Sequence, residues 1–233
     1  MPFAKHHHKL HIQNAQEVGL EEHTMTSTME DSATEQATAV AAITTDPIYR
    51  GTKVILRPYT VSDAADIHKA ADHPLIAKYM RNLFPNPYTL ADAEGWIKIA
   101  TARLPLRNFA ICHASDGTYA GGIGLKPLGD VESRTMEIGY WIGVDHWGGG
   151  LTTEAVVAFT RWSFENIPEL LRLEAGVFGD NNASARVLEK AGYKYEGARR
   201  KAGFKNGEAF DIRMFGMLRE ECPGLQDVEK TTR

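Results

Sequence analysis

The chain has 233 residues, 43% of them hydrophobic, with 26 Lys and Arg against 30 Asp and Glu for a formal net charge of −4. That length fits one domain with appendages, the lack of a basic block argues against nucleic-acid binding, and no apolar run approaches the ~20 residues of a membrane span. Two cysteines, Cys112 and Cys222, read as free thiols in a reducing compartment, so a cytoplasmic protein without membrane contact is the expectation.

Residues 1–46 stand apart from the rest. The run from Glu21-Glu22 to Glu30-Asp31-Ser32, with the Ala/Thr-rich stretch behind it, is polar and has no sustained period. Such a segment buries too little apolar surface to offset its ordering entropy. Residues 1–46 are therefore expected to form a flexible arm, 47–222 the folded domain, and 223–233 a polar, fraying tail. His6, His7, His8 and His11 read as a solvated tract, because no carboxylate or cysteine stands near them at metal-ligand spacing.

Within the domain, residues 53–57 form a strand stopped by Pro58. Ser62-Asp63 caps a helix to about residue 71, which His73-Pro74 breaks. Thr89, with Asp92 three residues on, opens a second helix that Pro105 closes. Residues 108–112 and 119–125 make a hairpin around Asp116-Gly117. Gly121, Gly122 and Gly124 mark a bulge or close strand packing. A third strand spans 135–143. The helix after Gly150 shows an apolar face at Ala155, Phe159 and Trp162 and ends at Ile167-Pro168. A strand over 170–177, a helix from Asp180 to Gly192, and two strands near 193–200 and 209–218 complete the order. Strands and helices in this sequence predict an α/β fold, an α+β mixed sheet with helices on both faces.

The most telling stretch joins the third strand to the helix after it. Glu137-Ile-Gly-Tyr-Trp-Ile-Gly143 is short, aromatic and β-branched, as a strand is. Trp147-Gly148-Gly149-Gly150 then runs into Leu151-Thr152-Thr153-Glu154, a helix N-terminus. Glycines admit close approach of the backbone, outward amides donate, and the helix dipole adds positive potential, so this element suits a phosphate. It is not a Walker loop, since no Gly-Lys-Ser/Thr follows. Nor is it a dinucleotide fingerprint, since its glycines are contiguous and a meander precedes it. On its own the triplet leaves ligand loop and surface turn both open.

The flanking residues resemble the GNAT superfamily of N-acetyltransferases, in particular the branch related to ribosomal-protein N-terminal acetyltransferases. Leu56-Arg57-Pro58-Tyr59, Ser62-Asp63, Glu137 to Gly143, Trp147 to Gly150, Thr153-Glu154-Ala155, Asn181 to Ser184, Leu188 to Tyr193, Glu196-Gly197 and Asp211 fall in that branch's order and spacing, over residues 53–218. The resemblance implies a GNAT-like central sheet, mostly antiparallel and splayed, with helices on both faces. It implies acetyl-CoA or coenzyme A as co-substrate and no metal. Amides of Gly148, Gly149, Gly150, Leu151, Thr152 and Thr153 would surround the pyrophosphate, with Trp147 at the motif's first position. Open backbone groups near Trp141 and Ile142 would hold the pantetheine and polarise the thioester, and Asn181 would touch the pantetheine from the other side. Arg186 and Lys190 stand one turn apart as surface cations within reach of a phosphate.

Acetyl transfer to an amine requires the ammonium to lose a proton and the leaving thiolate to be stabilised. Many GNAT enzymes use a tyrosine on the last helix as the acid; that position here is Leu188. The branch carries a serine at the position of Ser184, which is the acid candidate. Relatives acting on ribosomal proteins often have a glutamate where this chain has Gly203, so Glu137 is the best remaining base, acting through water. Asp211 either binds the acceptor ammonium or braces the last hairpin. The expected activity is direct attack in a ternary complex, the acceptor a protein N-terminus or a small amine, with a homodimer left open. A non-catalytic acyl-CoA-binding regulatory module is the alternative that Leu188 and Gly203 keep open.

Overall fold

The computed structural model describes residues 46–225. The expected arm up to residue 45, its histidines, and the tail beyond residue 225 lie outside the described residues. In chain order the elements are β1 (Tyr49–Arg50), β2 (Val54–Arg57), α1 (Ala64–Ala71), α2 (Pro74–Tyr79), α3 (Leu90–Thr101), β3 (Asn108–His113), β4 (Tyr119–Pro127) and β5 (Thr135–Ile142). They continue with α4 (Leu151–Asn166), β6 (Arg172–Phe178), α5 (Asn182–Lys190), β7 (Lys194–Lys205) and β8 (Glu208–Leu218). Among the described residues no helix is long and apolar enough to cross a membrane.

Local chemistry sets most of these boundaries. Thr89 Oγ1 accepts from the Asp92 amide at 3.2 Å and Asp92 Oδ2 accepts from the Thr89 amide at 2.8 Å, a reciprocal cap that starts α3. Arg57 grips Asp63 with two bonds of 2.7 and 2.8 Å, tying the turn before α1 to the end of β2. Burial pushes the Asp63 carboxyl up, but Arg57 and the Thr60 amide outweigh it and hold it below the usual range. The expected break at His73-Pro74 is only half of what happens there. His73 Nδ1 accepts from the Leu75 amide at 3.1 Å and Pro74 takes the first position of a new short helix, where its missing N–H is no loss. Six residues were too short to leave a periodic signal in the sequence.

The eight strands form one sheet in the order β1-β2-β3-β4-β5-β6-β8-β7. Every pairing is antiparallel except β5 with β6. That parallel pair lasts only three residues, Thr135↔Arg172 to Glu137↔Glu174. Beyond it β5 stays with β4 as far as Ile142↔Gly121, while β6 stays with β8 as far as Phe178↔Ile212. The two strands part, and a wedge opens in the middle of the sheet. The expected α+β mixed sheet with a splay is what forms.

Each face has its own core. Ile67, Ala93, Ile97 and Tyr119 pack together where α1 and α3 cover one face. Phe109, Phe159, Leu173, Leu188 and Phe215 pack where α4 and α5 cover the other. The α4 stripe read from the sequence is real: Ala155 and Phe159 are fully buried, and Trp162 stacks on Phe159 with centroids 5.6 Å apart. Gly121, Gly122 and Gly124 are close-packing positions. A Cβ there would lie 2.2 Å from Trp141 O, 2.3 Å from Tyr59 Oη and 2.1 Å from Asn108 Oδ1. The seventh strand runs past the expected residue 200 to Lys205, carried on by irregularities at Tyr195/Gly197 and Arg199/Gly203.

Candidate active site

The glycine turn is built around two positive-φ residues, Gly148 (φ 84°) and Gly150 (φ 77°), a region that costs other residues energy. Gly150 is the N-cap of α4 and brings no side chain to it. The first bond of the helix runs from the Glu154 amide to Gly150 O at 3.2 Å, so the amides of Leu151, Thr152 and Thr153 come before the first intrahelical donor. A Cβ at Gly148 or Gly149 would meet nothing within 4 Å. The turn therefore offers donors and open space together, at the positive end of a 16-residue helix.

Three contacts hold that turn in shape. Trp147 donates its indole N–H to Ile142 O at 2.8 Å. Glu154 accepts from the Thr52 hydroxyl at 2.8 Å and from the amides of Lys53 and Val54 at 3.0 and 3.3 Å. Burial pushes the Glu154 carboxyl up, and these bonds more than reverse it, keeping it ionised. Lys53 Nζ donates to Gly149 O at 2.7 Å. Because a trans peptide sets its carbonyl and the next N–H on opposite sides, fixing that carbonyl aims the Gly150 amide away from Lys53. Lys53 and Glu154 lie about a hundred residues apart in the chain, and nothing in the local pattern announced their pairing with the turn. Beside it, a cavity of about 410 Å³ is lined by Thr52, Lys53, His113, His146, Trp147 and Gly149, among others. His113 Nε2 lies 2.9 Å from His146 Nδ1 at its edge.

The wedge begins where β5 leaves β6. Bonds from Gly143 N to Ala120 O and from Leu128 N to Thr135 O bracket the β4–β5 ladder. By antiparallel alternation the backbone groups of Glu137, Gly139 and Trp141 face β4, and those of Ile138, Tyr140 and Ile142 face the other way. The expectation of open groups at Trp141 and Ile142 is thus corrected to Tyr140 and Ile142. The Ile142 carbonyl is already taken by Trp147, which leaves its amide. Trp141 contributes its ring instead, 6.3 Å from Phe84 and 6.2 Å from Tyr119. Across the wedge, Asn181 Oδ1 caps α5 by accepting from the Ser184 amide at 3.1 Å. Tyr140 Oη lies 2.9 Å from Ser184 Oγ and 3.2 Å from Ser184 O. Burial pushes the Tyr140 hydroxyl up to about 12. Tyr140 was missed by sequence reasoning; its place in an apolar strand hid its polar end.

Glu137 stands at the root of the wedge and forms an ion pair with Arg81. Arg81 follows α2, and this segment is tied across the cleft at two further places. Lys78 Nζ bonds Asp180 Oδ2 at 2.7 Å, and Lys205 Nζ donates to Ala77 O at 2.8 Å and to Met80 O at 2.5 Å. Asp211 Oδ1 accepts from the Lys201 amide at 2.8 Å, holding the positive-φ residue of the β7 irregularity (φ 51°). That bond is of the bracing kind, one of the two roles expected of Asp211. A Cβ at Gly203 would lie 2.2 Å from the Phe210 ring, so the space a glutamate would need is filled. Leu188 is fully buried in the core.

A family model described as an acetyltransferase (GNAT) domain matches residues 53–194. The chain belongs to the GNAT acetyltransferase family. It is an acetyl-CoA-dependent N-acetyltransferase. Over 175 residues it is 27% identical to the uncharacterized N-acetyltransferase YoaA of Bacillus subtilis (strain 168), a match spanning 74% of this chain and 97% of that protein. Over 94 residues it is 29% identical to the ribosomal-protein-serine acetyltransferase of Escherichia coli (strain K12), spanning 40% of this chain and 50% of that one. The structure of RimL, the ribosomal L7/L12 alpha-N-protein acetyltransferase in complex with coenzyme A, has the same fold, with a TM-score of 0.64 at 16% identity over 74% of this chain and 98% of that one. In this GNAT enzyme the turn has room for a pyrophosphate at Gly148 and Gly149, where a Cβ would meet nothing within 4 Å, while Lys53 Nζ stands 3.1 Å from the place of a Gly150 Cβ. Among the described residues no group of three or more His, Cys, Asp or Glu could hold a metal ion.

Proposed function

We propose that the enzyme transfers the acetyl group of acetyl-CoA to a primary amine by direct attack in a ternary complex, the amine being a protein N-terminus or a small amine. The observation that carries this reading is the wedge between β5 and β6. Its glycine turn, the Ile142 amide, Ser184 and Glu137 border one opening of the sheet.

The residues divide the work as follows. Amides from Gly148 to Thr153 hold the pyrophosphate, with Trp147 and Asn181 along the pantetheine. The Ile142 amide donates to the thioester carbonyl oxygen as it gains charge. Glu137 takes the ammonium proton through water, in competition with its Arg81 partner. The amine nitrogen bonds to the carbonyl carbon, the C–S bond breaks, and the Ser184 hydroxyl faces the departing sulfur. A covalent route would need a reactive thiol. Both Cys112 and Cys222 are buried, and burial pushes each up to about 11, away from thiolate at neutral pH. The ribosomal-protein-serine acetyltransferase among the relatives favours a protein as acceptor. Asp211, engaged with the Lys201 amide, is assigned to the hairpin rather than to the substrate.

Thiol release from acetyl-CoA, measured against polyamines, amino sugars and peptides with unblocked N-termini, tests the reading. Acceptor-dependent release, with the acetyl group recovered on nitrogen, is expected from at least one class. Tight coenzyme A binding without release over any of them would overturn it.

A further inference from the structure

Two hydroxyls meet across the wedge, and each carries one proton. Tyr140 Oη is within hydrogen-bond distance of both Ser184 Oγ (2.9 Å) and Ser184 O (3.2 Å). The Ser184 carbonyl can only accept. If the phenol donates to that carbonyl, the serine proton is drawn back toward Tyr140. If the phenol donates to Oγ, the serine proton is left for a third partner. A negative sulfur beside Ser184 favours the second arrangement, because a donated bond to an ion is worth more than one to a neutral hydroxyl.

We propose that Tyr140 is a positioning residue: by donating to Ser184 Oγ it turns the Ser184 hydroxyl proton toward the sulfur that leaves. This rests on the assignment of Ser184 to the leaving group made above. The placement is well determined from both sides. Tyr140 sits on β5 three residues past the last pair with β6, Glu137↔Glu174, so its ring crosses from one diverging strand to the first turn of α5. The Ser184 backbone is fixed by the Asn181 cap. In the transfer, the C–N bond forms as the C–S bond breaks, the electron pair stays on sulfur, and the amine proton departs through Glu137 and water. Tyr140 loses no proton. With its hydroxyl pushed up to about 12, it remains a neutral phenol throughout.

The bound product reports this without any acceptor. Coenzyme A is titrated on the intact enzyme, and thiolate formation is followed by ultraviolet absorbance, for wild type, Ser184→Ala, Tyr140→Phe and the double variant. Bound thiol in wild type should ionise at a lower pH than free coenzyme A in the same buffer. Each single variant should move that midpoint upward by about one pH unit, the equivalent of one hydrogen bond to a charge. The double variant should match Ser184→Ala alone, and affinity for coenzyme A at low pH should stay within about twofold. A pin that is only structural would lower thermal stability and leave the thiol midpoint where it is. If Ser184→Ala moves the midpoint and Tyr140→Phe does not, the positioning role is wrong and the Ser184 assignment stands. If neither variant moves it, the Ser184 assignment fails and takes the proposal with it.

Discussion

Lys53 and the glycines show how much of this site is decided by single atoms. Holding Gly149 O with Lys53 Nζ orients a peptide plane of the turn proposed to hold the pyrophosphate. Replacing Lys53 by Met should raise the KM for acetyl-CoA about fivefold, close to the ~1 kcal/mol of one hydrogen bond, while kcat stays within about twofold. Steady-state kinetics at saturating acceptor measure this, and an unchanged KM would remove Lys53 from the cradle. The glycine triplet was visible in the sequence, but alone it left ligand loop and surface turn both open, and only its resemblance-bearing flanks pointed to a phosphate site. The contacts of Lys53, Glu154 and Tyr140 were not visible there, since they depend on partners 96, 102 and 44 residues away. The one-residue correction from Trp141 to Tyr140 has the same origin. Which backbone groups face the wedge depends on ladder register, which no single strand encodes.

At the level of elements, the 3₁₀ turn Val144–His146 delivers the chain from β5 into the glycines. His146 ties this turn to the end of β3 through His113. Burial, and then the neighbouring His113, hold the His146 ring below its ordinary value. The unfolded chain therefore takes up the proton first. This contribution to stability is complete above the ordinary value of about 6.5 and is lost as pH falls through the lowered folded value. The melting temperature should decline from pH 7.5 to pH 5.5, and His146→Gln should decline less over the same range. Parallel declines would mean that the pair does not couple protonation to folding. The helix α2, like the two-residue strand β1, is an element the sequence did not disclose. A proline after a histidine looks like a stop, and only the Lys78, Arg81 and Lys205 ties show it as a strap beside the cleft.

Taken as one molecule, the chain uses a sheet that fails to stay paired. Three residues of parallel ladder hold β5 to β6, and each strand then follows its antiparallel neighbour. The result is a wedge with a helix N-terminus at one end and a serine on the first turn of another helix at its side. Fold class was legible in the order of strands and helices, and the splayed, mostly antiparallel sheet came from the resemblance that the residues flanking the glycines carry. The proton-handling side was legible only as candidates, because Glu137, Ser184 and Gly203 draw their roles from residues on other elements. Phe210 in the space a glutamate would need at position 203 is the clearest case. The claim on which the rest depends is that the glycine turn holds the pyrophosphate. Calorimetric titration of acetyl-CoA into wild type, Gly149→Ala and Gly149→Asp tests it directly, since a side chain at Gly149 meets open space and leaves the fold alone. The alanine variant should bind within about tenfold of wild type, and the aspartate variant should lose roughly 100-fold or more through charge repulsion. Equal affinity in all three would contradict the account.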